Sequence, residues 1–402
     1  MLVLTILVAV ILLFVVLPGL YVASGPWRRS RAYDAAEGKV LPCPDDYDPK
    51  ICDTLTFVQK NRGRSFRWNP EINLIEEDEF LAEVRKSGYV DEIALEESTL
   101  LFASLGLIGQ DVDLFEVEDT RGAESVSGFY NFDSQEITIR GTELNPFVLE
   151  ILAHELSHAY DDQWLVGSTI PLAPPTGFLD SREKSYVRLV VYEGAAELVA
   201  RDWLAAQSEE DKQEYDDVAT EFSEQVADRS DDGEAPTLGG VAERGSSKVW
   251  SDHQRYPYVE GPSLVEELTE NYDSLDALVK DPPETSERAL HPDILGDDDP
   301  PINDLPIGGP NDSDYVDVLG ELQLSYVLGV EAAEGWDGDI YNVWDDGGEA
   351  CISLTVAAET DKDLAEMVAA AERWAEALPE RSASTIVDEQ HELLRMANCD
   401  DG

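Results

Sequence analysis

The chain has 402 residues, enough to bury a substantial hydrophobic core in one large domain or two to three small ones. Its 85 acidic and 28 basic residues give a net charge of -57, which excludes nucleic acid as a partner, and a hydrophobic fraction of 43% excludes wholesale disorder. Because the acidic residues are distributed along the whole sequence, they indicate a halophilic source, in which salt screens their mutual repulsion.

Residues 1–25 are almost wholly apolar, and the run from Leu2 to Ala23 is long enough to span a bilayer as a helix. This predicts a membrane anchor or a signal. A secretory signal normally begins with Lys or Arg, and none precedes this run, so we favour an uncleaved single-pass anchor.

Two features of the sequence give opposite predictions for the side of the membrane on which the main domain lies. Three arginines between residues 28 and 31 would hold the main domain in the cytoplasm by the positive-inside rule. The cysteines indicate the opposite, because Cys43 and Cys52, and Cys351 and Cys399, are placed as two local disulfides of an oxidising compartment. Four unpaired buried thiols are the alternative. We expect the domain on the extracytoplasmic face.

The segment pattern predicts an α+β fold. Residues 26–63 read as an acidic linker closed by the Cys43/Cys52 loop, and order is expected from Arg64. Short strands near residues 65–68 and 72–75 and helices over 76–87 and about 95–107 follow, and then a β-hairpin over 128–141. Two long helices are predicted over about 145–164 and 181–207.

The remaining chain contains an acidic insertion and a C-terminal segment. Residues 208–247 have few large apolar side chains and are predicted as a surface insertion or a lid. A helix follows at about 262–272. Residues 315–402 are expected to form strand, strand and helix over 315–328, 341–356 and 361–378, after a main domain that spans 64–314.

The first long helix contains His154-Glu155-Leu156-Ser157-His158, an HExxH motif. Helical pitch puts residues four apart on one face, so both imidazoles can bind one zinc ion while Glu155 points at a coordinated water. With only five histidines in the chain, a chance occurrence is a poor explanation.

A catalytic zinc site needs a third protein ligand, and the second long helix offers Glu193 and Glu197, again four residues apart. Glu193 is predicted as the ligand and Glu197 as the acceptor for the N–H of a ligand imidazole, and the reverse assignment stays open. Asp162, one turn beyond His158, is either a second such acceptor or a solvated acid.

These motifs resemble those of the gluzincin metallopeptidases. Thermolysin-like gluzincins pair an HExxH helix with an ExxxD helix, whereas this chain has Glu197 in the place of that Asp. The order of GFYNFDSQEITI, HELSHAYDDQ, VVYEGAAELV and RYPYVEGPSLVEEL is also similar to a family of predicted zinc-dependent surface proteins of haloarchaea and other prokaryotes. The resemblance implies that the hairpin before the zinc helix is an edge to which an extended substrate adds a strand.

Thermolysin-like enzymes also supply a His and a Tyr that stabilise the oxyanion, from beyond the ligand helix. By this resemblance the candidates are His253, Tyr256, Tyr258 and His291. The alternative is that His253 is a surface residue and that His291 packs a proline-rich loop.

The sequence therefore predicts a membrane-anchored zinc peptidase, in which Glu155 is the general base and a peptide or protein is the substrate. One alternative is a non-catalytic surface protein in which zinc clamps two helices. Another is a membrane-linked module whose insertion over 208–247 binds a protein partner.

Overall fold

The structure of the protein is a computed structural model that describes residues 40–86, 92–118, 126–166, 181–229, 248–295, 301–302, 304–310, 315–378, 383–388 and 393–399. The expected membrane anchor over residues 1–25 lies outside these ranges. Inside them, every helix is too short or too polar to cross a bilayer.

The fold is α+β, as the sequence predicts. Its helices are numbered α1 (Pro49–Asn61), α2 (Glu77–Lys86), α3 (Glu92–Ser104), α4 (Pro146–Asp161), α5 (Arg182–Ala205), α6 (Glu209–Arg229), α7 (Lys248–Val259), α8 (Gly261–Thr269), α9 (Leu275–Lys280), α10 (Ser286–Leu290), α11 (Gly320–Leu328), α12 (Val330–Ala333) and α13 (Asp361–Glu376). Its strands are β1 (Glu71–Ile75), β2 (Gly128–Asn131), β3 (Glu136–Arg140), β4 (Tyr315–Asp317), β5 (Trp336–Asp345), β6 (Ala350–Ala358), β7 (Ser384–Asp388) and β8 (Leu393–Asn398).

The smaller sheet has the order β1-β3-β2, and β2 forms one of its edges. Strands β2 and β3 are antiparallel and form the expected hairpin, while β1 runs parallel to β3. The side chains of β3 alternate between buried and half-buried positions, which is the period of a strand with one face on a core. This core is completed by α4 and α1. The hairpin and the HExxH helix are thus packed together.

Residues 49–61 form helix α1, not the linker expected there. The side chains of Ile51, Leu55 and Val58 are buried at helical spacing in the core that also contains α4. A disulfide joins Cys43 to Cys52 at the first turn of α1, so this part of the linker prediction is confirmed. The chain is ordered well before Arg64.

The larger sheet has the order β4-β5-β6-β8-β7 and packs against α3 and α13 in a second core. The strand predicted over residues 315–328 ends at Asp317, and residues 320–328 form α11. The reason is Asp339, whose carboxylate accepts the N–H groups of Leu319 and Gly320 at 2.8 and 2.9 Å and so caps this helix. The prediction also missed β7 and β8. A second disulfide joins Cys351 to Cys399, as predicted.

The C-terminal end of α3 is capped by side chains from distant parts of the chain. Trp374 of α13 donates its Nε1–H to the carbonyl of Leu105 at 2.9 Å, and Asn398 of β8 donates its Nδ2–H to the carbonyl of Ser104 at 2.6 Å. Ser104 is the last residue of α3 and Leu105 follows it directly, so neither carbonyl has an intrahelical donor.

The predicted insertion begins as a packed helix. α6 lies on the N-terminal part of α4, where Phe147 contacts Tyr215 and Phe222 with ring centroids 5.9 and 5.4 Å apart. The rest of that segment, residues 230–247, lies outside the described residues. Helix α7 was not predicted, because Pro257 interrupts its pattern.

Helix α5 begins with a capped and buried first turn. The Ser181 hydroxyl accepts the N–H of Lys184, and the buried Glu183 accepts both the N–H and the hydroxyl of Ser286, at 2.6 and 3.0 Å. Burial raises the pKa of Glu183 to about 7.

Further along α5, Gly194 lies directly against Gly261 at the first residue of α8. A Cβ on Gly194 would stand 2.6 Å from the backbone carbon and oxygen of Gly261. The two helices cross at backbone contact, next to Glu193.

Candidate metal centre

The HExxH motif lies in the second half of α4, a helix that is buried along its whole length. Asn145 caps its first turn by accepting the N–H of Val148, and Pro146 occupies a position where no donor is needed. The chain continues from α4 into a π-helical turn over Asp162–Val166. The helix expected to carry the two histidines is confirmed.

Three side chains bring one atom each to a common point. His154 Nε2 lies 2.9 Å from His158 Nε2 and 3.2 Å from Glu193 Oε2, and His158 Nε2 lies 3.4 Å from the same carboxylate oxygen. His154, His158 and Glu193 could together hold a metal ion, and within the described ranges they are the one such group of His, Cys, Asp and Glu.

The second glutamate of α5 contacts the outer side of one imidazole. Glu197 Oε2 lies 3.3 Å from His154 Nδ1, while Glu197 Oε1 lies 3.7 Å from Arg201 Nε. A carboxylate at Nδ1 selects the tautomer in which Nε2 carries the free lone pair, as a metal ligand requires. Glu193 thus lies in the group that could hold a metal, and Glu197 lies on the outer side of His154.

The site is enclosed. The exposed fraction is 1% for His154 and 0% for His158 and Glu193. Burial lowers the pKa of His158 to about 4, which keeps this imidazole neutral. Burial alone would raise the pKa of Glu193, but its interactions with His158 and His154 outweigh this effect, so the pKa is lowered.

Glu155 lies between the metal-binding group and the edge strand. It is 0% exposed, and a Cβ on Gly128 of β2 would come within 3.4 Å of its Cγ and Oε1 atoms. Burial raises the pKa of Glu155 to about 8, against the opposing effects of His154 and of the Tyr130 backbone N–H. The same Cβ would stand 2.7 Å from Ile151 Cγ2, so glycine at position 128 lets β2 lie this close to α4.

A buried ion cluster supports α4 beside the two histidines. Arg62 Nη2 lies 2.6 Å from Asp161 Oδ1 and 2.8 Å from Asp276 Oδ1, and Arg62 Nη1 donates to the Ser157 hydroxyl at 2.9 Å. The side chains of Arg62 and Asp161 are 1% and 0% exposed. The cluster joins the end of α1, the metal helix and α9.

Asp162, predicted as either an imidazole acceptor or a solvated acid, has a different set of partners. It is buried, and its Oδ2 accepts the Tyr130 hydroxyl at 2.8 Å and the Gln135 Nε2–H at 3.1 Å. Both donors belong to the hairpin. Asp162 therefore fastens the hairpin to the end of α4.

The structure does not bring His253 to the metal-binding group. Its ring stacks on Tyr186, with centroids 4.1 Å apart and an interplanar angle of 17°, and also contacts Phe102, Trp250 and Tyr326. Burial, with the charge of Arg182, lowers its pKa to about 3. His253 is thus a neutral residue of an aromatic core, neither a surface group nor an oxyanion donor.

His291 and Tyr256 also have partners elsewhere. His291 Nε2 lies 3.0 Å from Glu321 Oε1, and this bond outweighs burial and raises the pKa of the imidazole. Tyr256 packs against a small cluster around Tyr186 and Leu322.

Two tyrosines lie against this group of side chains: Tyr258, which the sequence analysis names as an oxyanion candidate, and Tyr192, which it leaves out. Tyr258 of α7 has its ring 6.3 Å from that of His154, at an interplanar angle of 28°. Tyr192 stacks on His158, with centroids 4.3 Å apart and an angle of 26°. The position of Tyr192 beside Glu193 is the sequence feature that could have indicated it.

Comparison with known proteins gives no further assignment. No protein-family description, curated protein or solved structure matches this chain.

Proposed function

We propose that this protein is a zinc-dependent peptidase, with His154, His158 and Glu193 as the metal ligands and Glu155 as the general base. The carrying observation is that these three ligand atoms lie 2.9 to 3.4 Å from one another. Tetrahedral zinc with bonds of about 2.0–2.1 Å needs ligand atoms about 3.3 Å apart. Two nitrogens and one carboxylate are also the ligand set of a catalytic zinc site.

The arrangement assigns a task to each side chain. A bound zinc ion would supply a Lewis acid that lowers the pKa of a water molecule to about 7. In its ionised form, which a bound cation would favour, Glu155 takes the proton of the attacking water and returns it to the leaving amine. Glu197 holds the Nδ1 proton of His154 and so keeps its Nε2 lone pair toward the ligand group.

Strand β2 is the proposed place for the substrate backbone. Among the described strands it pairs with β3 alone and lies at an edge of its sheet, and its first residue, Gly128, lies beside Glu155. An extended peptide that adds to this edge brings its scissile bond toward Glu155. The resemblance of the motifs to gluzincins favours the same mode of binding.

A second candidate function follows from the enclosure of the site. The ligands and Glu155 are at most 1% exposed, which is typical of a structural metal site that joins two helices. In this case the metal stabilises the fold of a surface or partner-binding protein and no hydrolysis occurs.

Two variants distinguish these functions in protein purified in high salt. We expect one zinc per chain in the parent and in Glu155→Gln, and little zinc in His158→Ala. Glu155→Gln should lose hydrolysis of an unstructured peptide by about two to four orders of magnitude, because the general base is removed. Glu150→Gln is the matched control, since Glu150 is a buried glutamate of the same helix whose raised pKa already favours its neutral form.

Equal hydrolysis by the parent and Glu155→Gln would refute the peptidase. Zinc binding without hydrolysis in the parent would support the structural metal site. Full zinc content in His158→Ala would refute the ligand assignment and both functions with it.

We also propose that the protein is held at the cell membrane by its apolar N-terminal residues, with the folded part on the extracytoplasmic face of a halophile. The two disulfides and the charge of -57 support this placement. Labelling with a membrane-impermeant reagent tests it, and protection of the domain in intact cells would contradict it.

A further inference from the structure

Tyr192 occupies the position next to Glu193 on α5, and its ring lies flat on the imidazole of His158. The ring centroids are 4.3 Å apart and the planes differ by 26°. Tyr192 is 2% exposed, so the stack is excluded from water. Tyr192 therefore links the two helices, because it is next to Glu193 in α5 and its ring covers His158 of α4.

Acidic groups at both helices act electrostatically on the hydroxyl of Tyr192. The charges that act on it are those of Asp161, Glu193 and Asp162, and the hydroxyl oxygen is buried and makes no direct hydrogen bond. A phenol is a donor, so the carboxylates attract it toward the end of α4. This attraction and the stack hold the ring over the same imidazole.

We propose that Tyr192 is a positioning residue that fixes the ring plane of His158 so that Nε2 stays directed at the metal. The inference rests on the metal site of the proposed function, but not on hydrolysis. A free imidazole turns about its side-chain torsions, and a ring stacked on one face restricts this rotation. Ligand orientation is worth about 10- to 100-fold in metal affinity when such a supporting group is lost.

The same helix offers a matched control. Tyr186 of α5 stacks on His253 at 4.1 Å and 17°, and it is also buried, but His253 is not in the ligand group. Replacing either tyrosine removes one buried tyrosine–histidine stack from α5. Only the substitution at position 192 should change the affinity for the metal.

The test measures zinc affinity by competition with a chromophoric chelator, together with the visible spectrum of the Co²⁺-loaded protein. Tyr192→Met keeps apolar volume but has no flat face, and we expect a 10- to 100-fold weaker affinity and an altered cobalt spectrum. Tyr192→Phe keeps the ring and should stay within about threefold of the parent. Tyr186→Met should match the parent in both measurements.

Circular dichroism of the metal-free variants checks folding first, and Tyr192→Leu is a second ring-free variant if the Met variant does not fold. Parent-like affinity and spectrum in a folded ring-free variant would overturn the inference. An equal loss in Tyr186→Met would also overturn it, because the effect would then be general destabilisation. A parent that binds no zinc would refute the proposed function instead, which keeps the two failures distinct.

Discussion

Gly194→Ala tests whether the crossing of α5 and α8 sets the position of the third ligand. Gly194 follows Glu193 directly, and a Cβ there would lie 2.6 Å from the backbone of Gly261 and 2.9 Å from Val265 Cγ2. The backbone of α8 cannot rotate away as a flexible side chain could. The two helices must therefore separate.

The magnitude follows from these contacts. Ordinary contact begins near 3.4 Å, so the helices must separate by about 0.8 Å, whereas zinc ligands tolerate displacements of about 0.2 Å. Overpacking costs about 1–3 kcal/mol, while alanine gains about 1 kcal/mol over glycine inside a helix. We expect the metal-free variant to be less stable than the parent, and its zinc affinity to fall at least tenfold.

The measurements are chelator competition for zinc and denaturant unfolding of the metal-free protein in high salt. Gly261→Ala is the control from the opposite side of the crossing, because its Cβ would stand 3.1 Å from the carbonyl oxygen of Val190 and needs only a small adjustment. A Gly194→Ala variant that gains stability from helix propensity and binds zinc as tightly as the parent would refute the reasoning.

Three further variants test an ion cluster, a buried carboxyl group and a disulfide. Arg62→Met leaves the buried Asp161 and the half-buried Asp276 without their cation and should cost about 3–5 kcal/mol in denaturant unfolding, so a loss below 1 kcal/mol would contradict the cluster. Burial raises the pKa of Glu183 to about 7, so its contribution to folding is present below pH 4.5 and lost as the pH rises through 7. The free energy of unfolding of Glu183→Gln should therefore decrease less between pH 5 and 8 than that of the parent, by up to about 3 kcal/mol. The same pH dependence in variant and parent would contradict this assignment. Removing Cys351 and Cys399 together, whose disulfide closes 48 residues of separation, should cost about 4 kcal/mol, and four reactive thiols in the unreduced, unfolded parent would exclude both disulfides.

The group of side chains that could hold a metal could be predicted from sequence because its members lie at helical spacing. His154 and His158 are one turn apart, as are Glu193 and Glu197, and small residues between the glutamates allow close helix packing. The oxyanion candidates could not be placed in this way. Their positions depend on side chains far away in sequence, such as the Tyr186 ring that encloses His253.

The segment errors have similar physical causes. The apolar residues of α11 satisfy strand and helix patterns alike, and the cap that selects the helix comes from Asp339 on a different element. Residues 49–61 were assigned to a linker because a polar, proline-bearing context hid the helical spacing of Ile51, Leu55 and Val58. The local sequence pattern allowed more than one type of element in these segments, and long-range contacts decided which type forms.

The caps of α3 constrain the order in which the second core can form. The carbonyls of Leu105 and Ser104 receive their donors from residues 269 and 294 positions later in the chain. During synthesis, therefore, these two carbonyls receive their protein donors only after almost the whole remaining polypeptide has been made. Contacts this distant in sequence carry a high loop-closure entropy, so we expect the second core to be completed late in folding.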